Sequence, residues 1–214
     1  MAIIRGFRAV RPTRDKANLV ASRSYLSYSD ETLKEKLDNN PFTFLHIINP
    51  DYNDKTKKYG TEKFNLVKQK FTDFNSEGTL FQDEKQSIYI YSQKKKNKTF
   101  TGIITAASVD DYLNGNIKVH EQTITKRQEI FKNYLQITGF NAEPVLLSYT
   151  DNENIDSIVS NKMLERSEYE FTTTNKVSHK LWKIDDKQII NKIVSEFKNI
   201  EDIYIADGHH RSAS

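Results

Sequence analysis

Cysteine is absent from the 214 residues, which excludes a disulfide framework, a thiolate zinc site and a cysteine nucleophile, and permits a reducing cytoplasm. Seven glycines and four prolines leave few marks between domains. No internal repeat or low-complexity tract is present. Neither charge sign dominates: 32 Lys and Arg against 29 Asp and Glu give +3, too small an excess for a nucleic-acid footprint, which needs a clustered basic face. No apolar run approaches the ~20 residues of a membrane span, and residues 1–10 carry Arg5 and Arg8 without an apolar stretch behind them. The expectation is a soluble, cytoplasmic protein with no nucleic-acid or membrane partner, long enough for one large domain or two small ones.

What is present alternates between strand and helix patterns. Arginines at 5, 8, 11 and 14 open a basic-to-acidic lead over 1–40 and, as a charge run, read as a solvated face. Ser29 and Asp30 supply caps for a helix, and Asn40-Pro41 breaks the chain after it. The apolar run 42–48 predicts a buried strand ended by Asn49-Pro50. Residues 61–74, apolar at 64, 67, 71 and 74, predict an amphipathic helix. Segments 87–93 and 99–109 read as strands, joined by the polar turn Lys94-Lys95-Lys96-Asn97-Lys98, whose like charges keep it in solvent. A helical turn from Ser108 precedes Asn114-Gly115-Asn116, a strand-like stretch covers 117–123, and 126–137 is a helix stopped by Gly139.

Pro144 opens a strand over 145–149. Beyond it come a helix at 154–163, strands at 169–173 and 177–184, a helix at 187–197 and a last strand at 203–206. This order predicts an α+β fold with a mixed sheet and flanking helices. The softest boundary, at Asn114-Gly115-Asn116, divides it into a hairpin-bearing N-terminal α+β region, 1–115, and a second region, 116–214.

The densest chemistry stands at the end. Ile203-Tyr204-Ile205-Ala206 is β-branched and aromatic, and Asp207-Gly208-His209-His210-Arg211 follows it, so charge is placed at a strand end beside a glycine free to turn. Three readings are open. Asp and His can simply cap a turn. Imidazole and carboxylate can ligate a metal, although adjacent histidines point in different directions and leave at most one as a ligand. In the third, Arg211 and the histidines meet phosphate oxygens while Asp207 orients a histidine or holds Mg²⁺, which uses every residue of the motif. A phosphate turn of this kind draws on a following helix, expected here to begin near Ser212 and Ala213. The chain stops three residues after Arg211, so the expectation is the front part of a longer protein whose last residues are poorly ordered or strained. His120-Glu121, ahead of a helix with Thr123 and Thr125 as caps, reads locally as part of a capping arrangement. Its standing changes only if the fold brings it to the last strand.

Asp207-Gly208-His209-His210-Arg211 after Ile205-Ala206, together with Ile117-Lys118-Val119-His120-Glu121-Gln122-Thr123, resembles a widespread prokaryotic family of unknown function. The pattern extends to Phe7-Arg8-Ala9-Val10-Arg11-Pro12, Phe44-Leu45-His46, Tyr89-Ile90-Tyr91 with Thr101-Gly102, Ala142-Glu143-Pro144-Val145-Leu146-Leu147 and His179-Lys180-Leu181-Trp182, nearly the whole chain. Tyr25-Leu26 stands where that family often has Tyr-Asp. The family is similar in turn to the free-serine kinases, which share a His-Glu box, a Pro-led strand and an Asp-Gly-His-His-Arg turn on a ParB/sulfiredoxin-like fold.

The resemblance implies a ParB/sulfiredoxin-like core in the second half, truncated at its C-terminal end, with the strand 203–206 beside 145–149. Carried over residue by residue, Glu121 matches the carboxylate that activates the acceptor hydroxyl. Asp207 and His210 fall at the catalytic end, Asp207 also as the metal ligand. His120, Gly208, His209 and Arg211 fall on the nucleotide phosphates. The stretch from Glu121 to Asp207 is longer than in the kinases, so an insertion over much of 151–199 is expected to be looped out or added to the sheet.

The implied function is a nucleotide-dependent phosphotransferase acting on a small hydroxyl metabolite such as free serine, with ADP or ATP and Mg²⁺. Such chemistry needs positioning and charge neutralisation more than covalent catalysis. The alternative is a nucleotide-sensing or regulatory module without turnover, since fold alone does not settle activity. A DNA-binding or nuclease role, drawn from the same superfamily, is opposed by the modest charge.

Overall fold

A computed structural model describes residues 3–214; Met1 and Ala2, at the start of the segment read for a leader, lie outside the described residues. In chain order the elements begin with β1 (Ile4–Arg5), β2 (Val10–Pro12), α1 (Ala17–Val20), a 3-10 turn (Tyr25–Ser27), α2 (Asp30–Asn39), α3 (Leu45–Ile48) and α4 (Gly60–Ser76). They continue with β3 (Leu80–Gln82), β4 (Ile88–Lys95), β5 (Lys98–Ile104), β6 (Ala106–Ala107), α5 (Val109–Leu113), β7 (Ile117–Lys118) and α6 (Thr125–Thr138). The last are β8 (Leu146–Tyr149), α7 (Glu153–Met163), β9 (Tyr169–Thr172), β10 (Ser178–Ile184), α8 (Lys187–Phe197), β11 (Ile203–Asp207) and α9 (His209–Ser212). The fold is α+β.

The chain divides into two compact units, each assembled from separated segments. The first takes residues 1–9, 83–125 and 143–214, the second 10–82 and 126–142. The boundary read at 114–116 falls inside a segment of the first unit.

The first unit holds an antiparallel sheet in the order β5-β4-β10-β9, a mixed sheet in the order β7-β11-β8 and the short pair β1-β6. Alternate residues of β4 and β10 (Ile88, Ile90, Trp182 and Ile184) are buried with Ile155 of α7, Ile193 and Phe197 of α8 and Ile203 of β11 in one core. Alternation of side chains along a strand is what turns these residues to a single face. The buried indole donates its N–H to the carbonyl of Glu165 at 3.0 Å. Residues 151–199 carry α7, β9, β10 and α8, and β10 pairs antiparallel with β4 from Ser178↔Lys94 to Ile184↔Ile88. This segment thus extends the sheet of the lysine hairpin.

In the second unit Val20, Ile47, Val67, Phe74 and Leu80 form the buried centre, with Phe42, Phe44, Phe71, Tyr134 and Phe140 packed against it. Val67, Phe71 and Phe74 repeat at helical spacing, which puts one face of α4 on this centre. Phe71 stacks on Phe140 with ring centroids 4.0 Å apart, and Phe64 meets Tyr134 edge-on at 5.3 Å.

Five expectations are corrected. Residues 42–48 are not a strand: a short turn leads into α3, because Thr43 Oγ1 accepts the N–H of Leu45 and the Asn49 side chain donates to the Leu45 carbonyl. Such local side-chain bonds offer the backbone an alternative to a ladder. The strand read over 117–123 is confined to Ile117–Lys118, where β11 supplies a partner. The strand read over 99–109 stops at Ile104, and Val109 opens α5. The last helix begins at His209 rather than near Ser212, so the motif itself forms the helical turn. The carbonyls of Gly208 and His209 accept from Ser212 N and Ala213 N at 2.9 and 3.0 Å, and the end of the chain is regular rather than strained. Among the described residues no helix is long and apolar enough to cross a membrane.

Candidate functional site

The mixed three-stranded sheet gathers the sequence motifs at one end. β11 is its centre, with Ile203 and Ile205 buried and Tyr204 exposed. β7 runs parallel to it, Ile203 opposite Ile117 and Tyr204 opposite Lys118, so His120 and Glu121 leave β7 at the same end as Asp207 leaves β11. β8 lies beside it, the neighbour expected for the last strand, and runs antiparallel with Leu146 opposite Asp207. The segment entering β8, Glu143-Pro144, therefore arrives at that end too. A register shift between Ile205 and Asp207 kinks the strand where the motif begins.

Gly208 makes the turn. Its φ of +96° lies in the left-handed region, and a Cβ there would stand 2.9 Å from Nη2 of Arg211, whose side chain folds back over the glycine. Only glycine serves both needs. From this turn Arg211 donates from Nη1 to Glu143 Oε2 at 2.8 Å and from Nη2 to Asp207 Oδ2 at 2.9 Å. His209 is buried, with 5% of its surface exposed. Its Nδ1 lies 3.3 Å from Glu121 Oε2, and its ring meets that of His120 edge-on at 4.4 Å.

The fold brings His120-Glu121 to the end of the last strand. It brings these residues to His209 and brings Asp207 to Arg211, whereas among the described residues Glu121 makes no ion pair with Arg211 or His210. Glu143 was missed as a site residue. Its signal in the sequence was its place before Pro144, since a strand pairing antiparallel with the last one must start where the last one ends.

Three consecutive residues leave nitrogens in want of partners: His209 Nε2, His210 Nδ1 and Arg211 Nε are buried and unbonded. Buried polar atoms are nearly always hydrogen-bonded, so three in consecutive residues set this turn apart. The Nε of arginine is a donor, and imidazole nitrogens donate in the right tautomer or as imidazolium. Oxygen acceptors carried by an anion match this set.

A resident metal fits less well, since among the described residues no three His, Asp or Glu side chains are grouped to hold one. Asp207 is 72% exposed at its side chain with one oxygen on Arg211. It suits Mg²⁺ only in the form that ion takes beside phosphates, with one or two carboxylates, phosphate oxygens and waters.

These features define an α+β protein with a polar site at a strand-turn-helix junction. The model of the family described as Protein of unknown function (DUF1015) matches residues 4–214, and the chain belongs to that family. No curated protein and no solved structure matches the chain.

Proposed function

We propose that this protein is a nucleotide-dependent phosphotransferase that moves a phosphoryl group onto a small hydroxyl metabolite, with free serine the first acceptor to test. The observation that carries this reading is the row of unbonded buried nitrogens on His209, His210 and Arg211 beside a carboxylate, Glu121, at 3.3 Å from His209. Phosphate oxygens satisfy the row, with Arg211 as the principal anchor and His120, His209 and the Gly208 turn around it. Mg²⁺, held through Asp207 and the phosphate oxygens, supplies charge neutralisation when bound.

Glu121 is the general base, exposed enough to receive a soluble acceptor and aimed by its contact with buried His209. The hydroxyl oxygen attacks the terminal phosphorus, the bond from that phosphorus to the bridging oxygen breaks, and the nucleotide leaves one phosphate shorter. The hydroxyl proton goes to Glu121. His210, the remaining member of the row, faces the phosphoryl group in transfer.

Calorimetry with ADP or ATP and Mg²⁺ tests the phosphate side. Arg211→Ala is expected to weaken binding by about 1.5–3 kcal/mol, the scale of a hydrogen bond to a charged group. Equal affinity in the two proteins removes Arg211 from the site.

One observation favours a second reading, a nucleotide sensor without turnover: both Nη groups of Arg211 are held by carboxylates, so a phosphate that takes the guanidinium fork through an Nη exchanges with one of them. Binding is then itself a switch of ion-pair partners. Tight nucleotide binding with no phosphorylated product from any hydroxyl acceptor selects the sensor.

A further inference from the structure

The sheet β5-β4-β10-β9 has two faces, and only one carries Ile88, Ile90, Trp182 and Ile184 into the core. On the other, the register lines Phe100, Gln93, His179 and Phe171 directly across all four strands. Tyr91, opposite Gly102 and Leu181, comes next on the same side. His179 stacks on Phe171 with centroids 5.1 Å and planes 20° apart, and on Tyr91 at 6.0 Å and 21°. Tyr91 Oη and His179 Nδ1 share a hydrogen bond of 2.7 Å that ties the row together. Burial holds the His179 imidazole below the ordinary histidine value, so this row is uncharged at neutral pH. Gly102 leaves open space beside Tyr91, with nothing within 4 Å of where a Cβ would sit, and Phe100 is 69% exposed. The face is thus an ordered aromatic platform with room for a flat ring.

Lysines collect at one end of this platform. Lys95 and Lys98 are direct cross-strand partners on the aromatic side. Ser178 pairs with both Lys94 and Thr172, which puts the β9–β10 turn and its Lys176 at the same end as the turn at Lys96. No Asp or Glu occurs in 91–100 or 171–180. Lys94, Lys95, Lys96, Lys98 and Lys176 are all exposed, and among the described residues none has an ion-pair partner. Two further features go against stability: like charges stand directly opposed at Lys95 and Lys98, and Lys96 and Lys176, at φ +54° and +59°, are the two non-glycine residues with left-handed φ among the described residues. A basic edge of this kind, unrelieved by acids, is complementary to a polyanion. The +3 net charge hides it, because the acids that balance these lysines lie elsewhere in the sequence.

We propose that this end of the sheet binds single-stranded nucleic acid, with bases stacking on Phe100 and over Gly102 against Tyr91 while phosphates follow the lysines. Base stacking on aromatic side chains, with a basic track for the backbone, is how single strands are held without sequence readout. A duplex has its bases already stacked and offers no free ring. An anionic lipid surface uses the lysines and has no use for the ordered aromatic row.

Fluorescence anisotropy of the protein with labelled oligo(dT) and oligo(U) of about 12 nucleotides, within the range of known single-strand sites, tests the proposal. A duplex of equal length and phosphatidylserine vesicles serve as competitors. Both single strands should bind more tightly than the duplex, and a preference for either sugar tells DNA from RNA. Phe100→Ala should weaken binding about 5- to 100-fold, the range for removal of one stacking platform. Replacing Lys95 and Lys98 together by Ala should lower the salt dependence of log K by about 0.7 for each phosphate no longer neutralised. Phe100 is solvent-exposed and the Lys95–Lys98 pair is a like-charge contact, so a melting temperature no lower than that of wild type shows that both variants stay folded.

Absence of binding, equal binding of the duplex, or displacement only by vesicles overturns the proposal. So does an unchanged affinity in Phe100→Ala, which leaves only charge attraction. The nucleotide site on the other sheet plays no part in this test.

Discussion

At the scale of single residues, Gly208 is the position where backbone and site chemistry meet. Gly208→Ala places a Cβ 2.9 Å from Arg211 Nη2 at a φ of +96°. The expected outcome is a stability loss of about 1–2 kcal/mol, the cost of a left-handed L-residue, with a loss of nucleotide affinity as large as that of Arg211→Ala. Thermal unfolding and calorimetry read the two effects separately, and unchanged affinity would show that Arg211 is placed by other contacts. Tyr89 offers a second test. It is 1% exposed, donates to Asp83 Oδ2 at 2.6 Å beside Lys183, and burial with that hydrogen bond pushes its phenol up to about 12. The folded protein then keeps a proton that the unfolded chain loses near pH 10, so stability falls as pH rises from 10 to about 12, by about 3 kcal/mol in all. Urea unfolding across this window should show a smaller decline in Tyr89→Phe than in wild type, the remainder coming from Tyr91 and Tyr149, whose phenols burial also raises. The motif residues were legible because their chemistry is dense in sequence. Glu143 and the Asp83–Tyr89–Lys183 group were not, since their partners are set by strand pairing over long separations.

At the scale of elements, the helices announced themselves where a cap and a period agree. Asp186 is the clearest case: its carboxylate accepts from the N–H groups of Gln188 and Ile189 at 2.7 and 3.1 Å, and α8 then buries Ile193 and Phe197. Asp186→Ala is expected to destabilise by about 1 kcal/mol and Asp186→Asn by much less. Urea midpoints read the difference, and equal losses would mean that the cap is not what the residue contributes. Ser29 before α2 and Asn152 before α7 accept helix N–H groups in the same way. The apolar run 42–48 misled because its alternating burial imitates a strand while its hydrogen bonds are local. Strands of two or three residues, such as β1, β2, β3 and β6, are too short to show a period and exist only through their partners.

At the scale of the whole molecule, a linear division of the chain does not describe the fold, because both units are assembled from separated segments. A piece spanning 116–214 lacks β4, the strand that pairs with β10 from Ser178 to Ile184 and contributes Ile88 and Ile90 to the core. Expressed alone it is expected to lack a cooperative melting transition, and a sharp one by circular dichroism would contradict the core drawn here. The same long-range assembly brings His120-Glu121, Glu143 and Asp207–Arg211 to one end of a three-stranded sheet, and phosphoryl transfer at that end is the central claim. Its most direct measurement is phosphorus NMR of the protein with ATP or ADP, Mg²⁺ and a panel of hydroxyl amino acids, in wild type and Glu121→Gln. The account predicts a new phosphate ester whose rate of formation falls about 10²–10⁴-fold in the variant while nucleotide affinity is retained. No ester with any acceptor, or an ester formed equally fast by Glu121→Gln, would contradict it.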